Sequence, residues 1–150
     1  MIVYKITLSI FGDDFFPSKL PDINEMRLRM VDTFNPIDKR NADNKEYGYW
    51  NITYMHDNIF ATRDALSDFN QDFVNFIETY YKIFEEFKSQ EYHIFTEVYY
   101  SGEQCNFEIL SFSLLNRLAL LNLSIAYPVS VYKMKKKEIK HLLDKSTHWG

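Results

Sequence analysis

Two kinds of hydrophobic periodicity run along this chain. From Ala65 to Phe87, apolar residues recur at steps of three or four, which is the period of an amphipathic helix. We expect Thr62 or Asp64 to cap this helix and Ser89-Gln90 to end it. Its apolar face is rich in aromatic rings and needs a flat surface to cover, so we expect it to pack on a sheet. The positions are Leu66, Phe69, Phe73, Phe76, Ile77, Tyr80, Phe84 and Phe87.

Strand-like alternation precedes the helix. Apolar and polar residues alternate from Ile2 to Ile10, which predicts a strand with one buried face. A single helical turn opened by Pro17 should follow. The remaining predicted elements are a strand from Glu25 to Asp32, a loop from Thr33 to Lys45, and a strand from Tyr47 to His56 that ends at Asp57-Asn58.

After the helix, the pattern predicts a hairpin in which Gly102 supplies the turn conformation. Ser111 or Ser113 can cap a short leucine-rich helix. The predicted elements are hairpin strands from Tyr92 to Tyr100 and from Asn106 to Leu110, a strand from Leu123 to Tyr132 limited by Pro128, and a helix from Lys133 to Lys145.

The predicted fold class is α+β. We expect an antiparallel sheet of about five to six strands packed on the long central helix, with a short leucine-rich helix and a C-terminal helix, and helices mostly on one face. The chain has 150 residues and neither a repeat nor a linker. It is therefore predicted to be a single domain over 1–150, in which 133–150 form a basic C-terminal helix or tail.

Charge is distributed unevenly along the chain. Residues 1–132 hold 19 acids and 11 bases, a net charge of −8, whereas residues 133–150 hold 2 acids and 6 bases, a net charge of +4. An acidic body repels nucleic acid and attracts basic proteins. A solvated surface with no partner accounts for the same charges equally well.

The chemical repertoire is sparse. Cys105 is the single cysteine, and no histidine stands three to five residues from another histidine or cysteine, so we expect no metal and no cofactor. Neither a glycine-rich phosphate loop nor a glycine-flanked nucleophile elbow occurs, so the prediction is that the protein is not an enzyme. The start of the chain lacks a secretory signal and no run of about 18 apolar residues exists, which predicts a cytoplasmic protein that does not bind membranes.

Three segments carry a family resemblance. These are IFGDDFFPSKL after the first strand, Trp50 on the strand before the long helix, and SFSLLNRLALLNLSIAY before the last strand. Together they resemble the bacterial family known as domain of unknown function 4279, over most of residues 1–132. The chain departs from that family's pattern where Phe15 and Phe16 delay the proline and where Asn122 replaces a glycine. The resemblance implies the fold and no activity.

A looser similarity is to the small acidic immunity proteins that bacteria encode beside secreted toxin domains, which share the size, acidity and lack of a catalytic motif. We therefore expect an immunity-type inhibitor that occludes a cognate toxin, a basic protein such as a nuclease. Acids would speed association and exposed tyrosines would anchor the complex. The expected contacts are Asp13, Asp14, Tyr49, Tyr99, Tyr100 and Glu103.

Three alternatives stay open. A helix such as the C-terminal one could cover the aromatic residues of the sheet. A small-ligand-binding protein or an enzyme could use a pocket between the sheet and the central helix, with Asp13, Tyr54 or His93 as its polar groups. A homodimer could form through an exposed strand or a tyrosine face.

Overall fold

A computed structural model describes residues 1–23, 27–34, 50–103 and 105–146 of the chain. It contains a six-stranded sheet in the order β2-β3-β1-β4-β5, and β6 also pairs with β4. The strands are β1 (Ile2–Gly12), β2 (Leu28–Phe34), β3 (Trp50–Thr62), β4 (Glu91–Tyr100), β5 (Ile125–Ala126) and β6 (Val129–Lys133). The helices are α1 (Leu66–Glu86), α2 (Phe112–Ala119) and α3 (Lys136–Ser146), and 3-10 turns occupy Pro17–Lys19 and Arg63–Ala65.

The predicted α+β class is confirmed, with β1 at the centre of the sheet. β1 pairs antiparallel with both β3 and β4, so that Tyr4 lies opposite Ala61 on one side and Val98 on the other. Because side chains alternate along a strand, the even-numbered residues of β1 point to one face and the odd-numbered residues to the other. The even-numbered face is the one that α1 covers.

The core lies between this face and α1. Seven of the eight predicted stripe positions on the helix are buried, and Phe87 is partly buried just beyond the helix end. Tyr54 of β3 packs against Phe76, with ring centroids 4.6 Å apart, and against Phe84 at 6.0 Å. The period of three and four therefore identified the helix and its buried face correctly.

The opposite face of the sheet is partly covered by α3. Val3 points away from α1 and is fully buried, as is Ile139 of α3. This helix packs against β3 and β4, the two neighbours of β1. The helices are thus divided between the faces, with α1 and α2 on one and α3 on the other, so a C-terminal helix does cover part of the second face.

β3 is longer than predicted. Asp57-Asn58 does not end the strand, which continues to Thr62 through an irregularity in its pairing with β1 between Lys5 and Thr7. Local hydrogen bonds satisfy the backbone there, since the Asp57 N–H donates to the Arg27 carbonyl at 2.8 Å and the Asn58 N–H donates to His56 Nδ1 at 3.0 Å. Turn-forming residues were therefore accommodated in a bulge.

The predicted hairpin after Gly102 is wrong. Residues 105–110 contain no strand, and β4 pairs instead with β1, β5 and β6. The region from Leu123 to Tyr132 does form strand, divided at Pro128, but β5 and β6 run parallel to β4. The sheet is therefore mixed, and α2 belongs to the crossover that parallel strands require.

The two helix caps gave opposite outcomes. Neither Thr62 nor Asp64 caps α1, because the 3-10 turn Arg63–Ala65 leads into the helix without a side-chain cap. Ser111 does cap α2, since its Oγ accepts a hydrogen bond of 3.2 Å from the Leu114 N–H.

The predicted loop from Thr33 to Lys45 lies mostly outside the described residues, but Thr33 and Phe34 belong to β2.

Candidate functional site

Several acidic residues lie near the end of β1. Asp13 and Asp14 are exposed, and Asp14 lies with Glu86 on the rim of a surface depression of about 200 Å³ that also includes Phe16, Lys19 and Lys88. Glu85 belongs to the same last turn of α1, and Glu91 pairs with Phe11 on the neighbouring strand. We call this set of five carboxylates the acidic end: Asp13, Asp14, Glu85, Glu86 and Glu91.

The acidic end is held in place by contacts between β1 and the turn after α1. The Gln90 N–H donates to the Phe11 carbonyl at 2.7 Å, and the Asp13 N–H donates to Gln90 Oε1 at 2.9 Å. Lys88 has a φ of 68°, a left-handed conformation that turns the chain sharply after the helix. Asp13 is therefore anchored through its backbone, and both Asp13 and Asp14 are exposed.

A second cluster, which we call the tyrosine cluster, contains Tyr99 and Tyr132 and lies on the face that α3 partly covers. The Tyr99 ring stacks on Tyr132 with centroids 5.3 Å apart, and its hydroxyl donates to Glu97 Oε2 at 3.0 Å. Lys5 Nζ lies 3.6 Å from the same carboxylate oxygen. Burial, followed by the hydrogen bond to Glu97, raises the pKa of Tyr99 to about 12, so the phenol is neutral at physiological pH.

The predicted contact residues fall into two groups at opposite ends of the sheet. Asp13 and Asp14 lie near the start of β4, whereas Tyr99 and Tyr100 lie at its end and the exposed Glu103 just after it. Nine residue steps of strand separate these ends, which corresponds to about 30 Å. Tyr49 lies outside the described residues. The fold thus brings each group together but not the two groups into one surface.

A cavity lies beside Tyr4 of β1, between the beginning of α1 and the segment that precedes α2. It has a volume of about 530 Å³, within the range of small-molecule sites. Arg63 stands at its mouth and donates to the Asn106 carbonyl, and Asn70 donates to the Ile109 carbonyl. Burial raises the pKa of Tyr4, and the hydrogen bond from Arg63 opposes that rise. The lining also includes the apolar side chains of Leu66, Phe107 and Leu114 and the acidic residue Glu108.

The polar groups that we expected in such a pocket lie elsewhere. Asp13 is at the acidic end, and Tyr54 is buried beneath α1, which raises the pKa of its phenol. His93 lies on the opposite face of the sheet, next to Phe11 at 4.8 Å between ring centroids. The lining residues Arg63, Asn70 and Asn106 were missed, because they are far apart in sequence and share no motif.

The buried His56 and the partly exposed Asp72 form a pair that resembles a catalytic dyad. His56 Nε2 lies 2.7 Å from Asp72 Oδ2, and Nδ1 accepts the Asn58 N–H. Because Nδ1 is an acceptor, the proton resides on Nε2, which donates to the carboxylate. The ring also stacks on Phe69 with centroids 4.2 Å apart. Both nitrogens are occupied and the ring is buried, so this pair has a structural role.

Within the described ranges, no three histidine, cysteine, aspartate or glutamate side chains are grouped as metal ligands would be. None of the helices in this part of the chain combines the length and the apolar character that crossing a membrane requires. Comparisons with protein-family models, curated proteins and solved structures found no match. The geometry described above leaves three candidate sites: the acidic end, the tyrosine cluster and the cavity at Arg63.

Proposed function

We propose that this protein is an immunity-type inhibitor that binds a basic toxin domain and neutralises it by occlusion. The observation that carries the proposal is the acidic end, where the exposed Asp14 shares a surface depression with Glu86 and the exposed Asp13 precedes it in the chain. Lys19 and Lys88 also lie there, which leaves a net charge of −3 for the five carboxylates and two lysines. Such a surface attracts a basic protein.

Two features make this surface suited to a protein partner. Its backbone is fixed by the bonds between Gln90 and β1, so little conformational entropy is lost on binding. Apolar area is also available, because Phe16 lines the depression. In this proposal the acids raise the association rate and the apolar residues slow dissociation.

Tyr99, Tyr100 and Glu103 would form a secondary contact with the partner. They lie at the far end of the sheet and would touch the same partner only if that partner spanned about 30 Å. We therefore assign the primary contact to the acidic end and a secondary contact to these three residues. The resemblance to domain of unknown function 4279 adds nothing about the partner.

The test is affinity capture from the organism that encodes the chain, with the wild-type protein and D13K/D14K as baits. We expect one basic protein to be captured stoichiometrically by the wild type, less of it at high salt, and at least roughly tenfold less by D13K/D14K. D57K/D64K is the matched control, because it makes the same charge change at exposed residues outside the acidic end.

Three results would contradict the proposal. These are capture of no specific protein, capture that salt and D13K/D14K leave unchanged, and an equal loss with D57K/D64K. In the last case, net charge rather than the acidic end would determine binding.

A second candidate function is the binding of a small molecule, which the cavity of about 530 Å³ favours. Arg63 at its mouth and apolar residues inside it suit a compact ligand with an anionic group. A thermal-shift panel of small carboxylates and phosphates discriminates this candidate from the first. A compound that raises the melting temperature of the wild type but not of R63Q would favour it.

A further inference from the structure

Within the described part of the chain, β6 is an edge strand, and it is unusually exposed for its composition. All five of its residues are exposed, including Val129 at 40%, Val131 at 47% and Tyr132 at 46%. Pro128 precedes the strand and Lys133 is its last residue, but the three residues between Val129 and Lys133 include neither charge nor proline. Proteins normally protect an edge strand with such residues, because its free backbone groups can pair with another chain.

The backbone groups that face outward can be identified. The Thr96 N–H donates to the Pro128 carbonyl at 2.9 Å, and the Met134 N–H donates to the Tyr100 carbonyl at 2.8 Å. Even-numbered residues of β6 therefore bond to β4. Because successive residues of a strand direct their backbone groups to opposite sides, those of Val129, Val131 and Lys133 point to the open edge.

We propose that β6 pairs antiparallel with β6 of a second copy, which joins two sheets across a two-fold axis at Val131. In this register Val131 lies opposite Val131 of the second copy, and Val129 lies opposite Lys133. All of these are outward-facing residues, so each facing pair exchanges both of its backbone hydrogen bonds. The pairing is self-complementary, as an isologous dimer requires.

The charges near β6 favour this orientation. Lys133 of one copy lies four residue steps from Lys133 of the other, about 13 Å along the strands. That separation exceeds the Debye length of about 10 Å at 0.1 M salt. Lys135, Lys136 and Lys137 follow Lys133, so the two lysine clusters lie at opposite ends of the joined strands. A parallel pairing would place them side by side.

The dimer should be weak and should leave the acidic end available. One pair of five-residue strands is smaller than a standard protein interface, so we expect dissociation in the micromolar range or above. β6 pairs with Thr96 to Tyr100, the half of β4 that is remote from Asp13 and Asp14. Each dimer would therefore present two acidic ends.

Cysteine cross-linking tests the register directly, in a Cys105→Ser background that removes the native thiol. V131C should form a disulfide-linked dimer under mild oxidation, because facing residues have Cα atoms about 5.5 Å apart. V129C is the matched control, since it lies on the same strand with similar exposure. Its thiol would face Lys133, about 14 Å from its own copy, so we expect at least roughly tenfold slower linkage.

Sedimentation of proteins without added cysteines provides the second measurement, from roughly 10 µM to 1 mM. The wild type should show concentration-dependent dimerisation and V131K should remain monomeric. V31K is the control, because Val31 is an exposed valine on β2 at the opposite edge of the sheet, and this variant should dimerise as the wild type does. Circular dichroism establishes that each variant is folded.

A wild-type protein that stays monomeric over this range would overturn the proposal. So would linkage of V129C as fast as V131C, or dimerisation of V131K equal to that of the wild type. If V131K is unfolded, the cross-linking pair decides the question. None of these outcomes bears on capture of a basic partner, so the dimer and the proposed inhibitor function fail independently.

Discussion

Gly12 positions the acidic end because it has no side chain. A Cβ atom at this residue would lie 2.5 Å from the Lys88 carbonyl oxygen and 2.8 Å from the Phe15 Cβ. Both are closer than real Cβ contacts, and the carbonyl belongs to the backbone and cannot rotate away. The glycine therefore allows the end of β1 to approach the turn after α1.

Replacement of this glycine should be costly. We expect G12A to lower the free energy of unfolding by about 1–3 kcal/mol, because the added methyl group overpacks a buried contact. Urea denaturation measures the change. The control is D13A at the adjacent exposed residue, whose side chain is not needed for the Gln90 hydrogen bond. A G12A protein as stable as the wild type would show that the strand and turn separate at no cost.

Two tyrosines should make stability fall at alkaline pH. Burial is the main reason that the pKa values of Tyr92 and Tyr99 are raised to about 12 in the folded protein. The pKa of tyrosine in an unfolded chain is about 10. The folded state therefore holds these protons more tightly, and this stabilisation is present below pH 10 and lost as the pH rises from about 10 to about 12.

The Y92F/Y99F variant should lose less stability over that range than the wild type, since phenylalanine does not ionise. Denaturant midpoints measured from neutral pH to about pH 12 provide the comparison. Y100F changes a neighbouring phenol and is the control. Identical pH profiles for the wild type and Y92F/Y99F would contradict the assignment.

At the scale of elements, the sequence predicted a strand or helix correctly where the signal is a periodicity among residues close together in the chain. The alternation of β1 and the stripe of α1 were visible because the face that each turns to the shared core is apolar. The ends were harder to predict. Asp57-Asn58 are common turn residues, but here the Arg27 carbonyl and the His56 ring satisfy their N–H groups, so β3 continues. Those partners are set by tertiary structure.

The α2 helix provides a matched test of a predicted cap. Ser111 accepts the Leu114 N–H, whereas Ser113 is an exposed residue within the helix. S111A should lower the free energy of unfolding by about 1 kcal/mol because it removes that hydrogen bond. S113A should be neutral or slightly stabilising, since alanine is the better helix former. Thermal or urea unfolding compares them, and equal effects would remove the capping role.

At the scale of the whole molecule, charge divides between the two faces of the sheet. α1, on the first face, carries five acids and one lysine. The segment from Lys133 to Lys145, which includes α3 on the second face, carries six lysines and two acids. The sequence already showed an acidic body and a basic tail. It did not show that the sheet lies between them, because that depends on which face α3 covers.

Long-range pairing also explains the other errors. The parallel partnership of β4 with β5 and β6 joins residues about thirty positions apart across α2, and no local pattern encodes it. A hairpin after Gly102 was the more local alternative and proved wrong.

For the candidate site, the sequence singled out Asp13 and Asp14. Glu86 became a neighbour of Asp14 only through the contact of β1 with the turn after α1.

The central place of β1 has a consequence for biosynthesis. β1 is translated before either of its neighbours, and its pairing with β4 requires the chain as far as Tyr100. Until then, a strand that becomes the middle of the sheet has at least one unpaired edge on the nascent polypeptide. Such unpaired strand edges are prone to aggregation and misassembly. The architecture therefore delays completion of the core until most of the chain has left the ribosome.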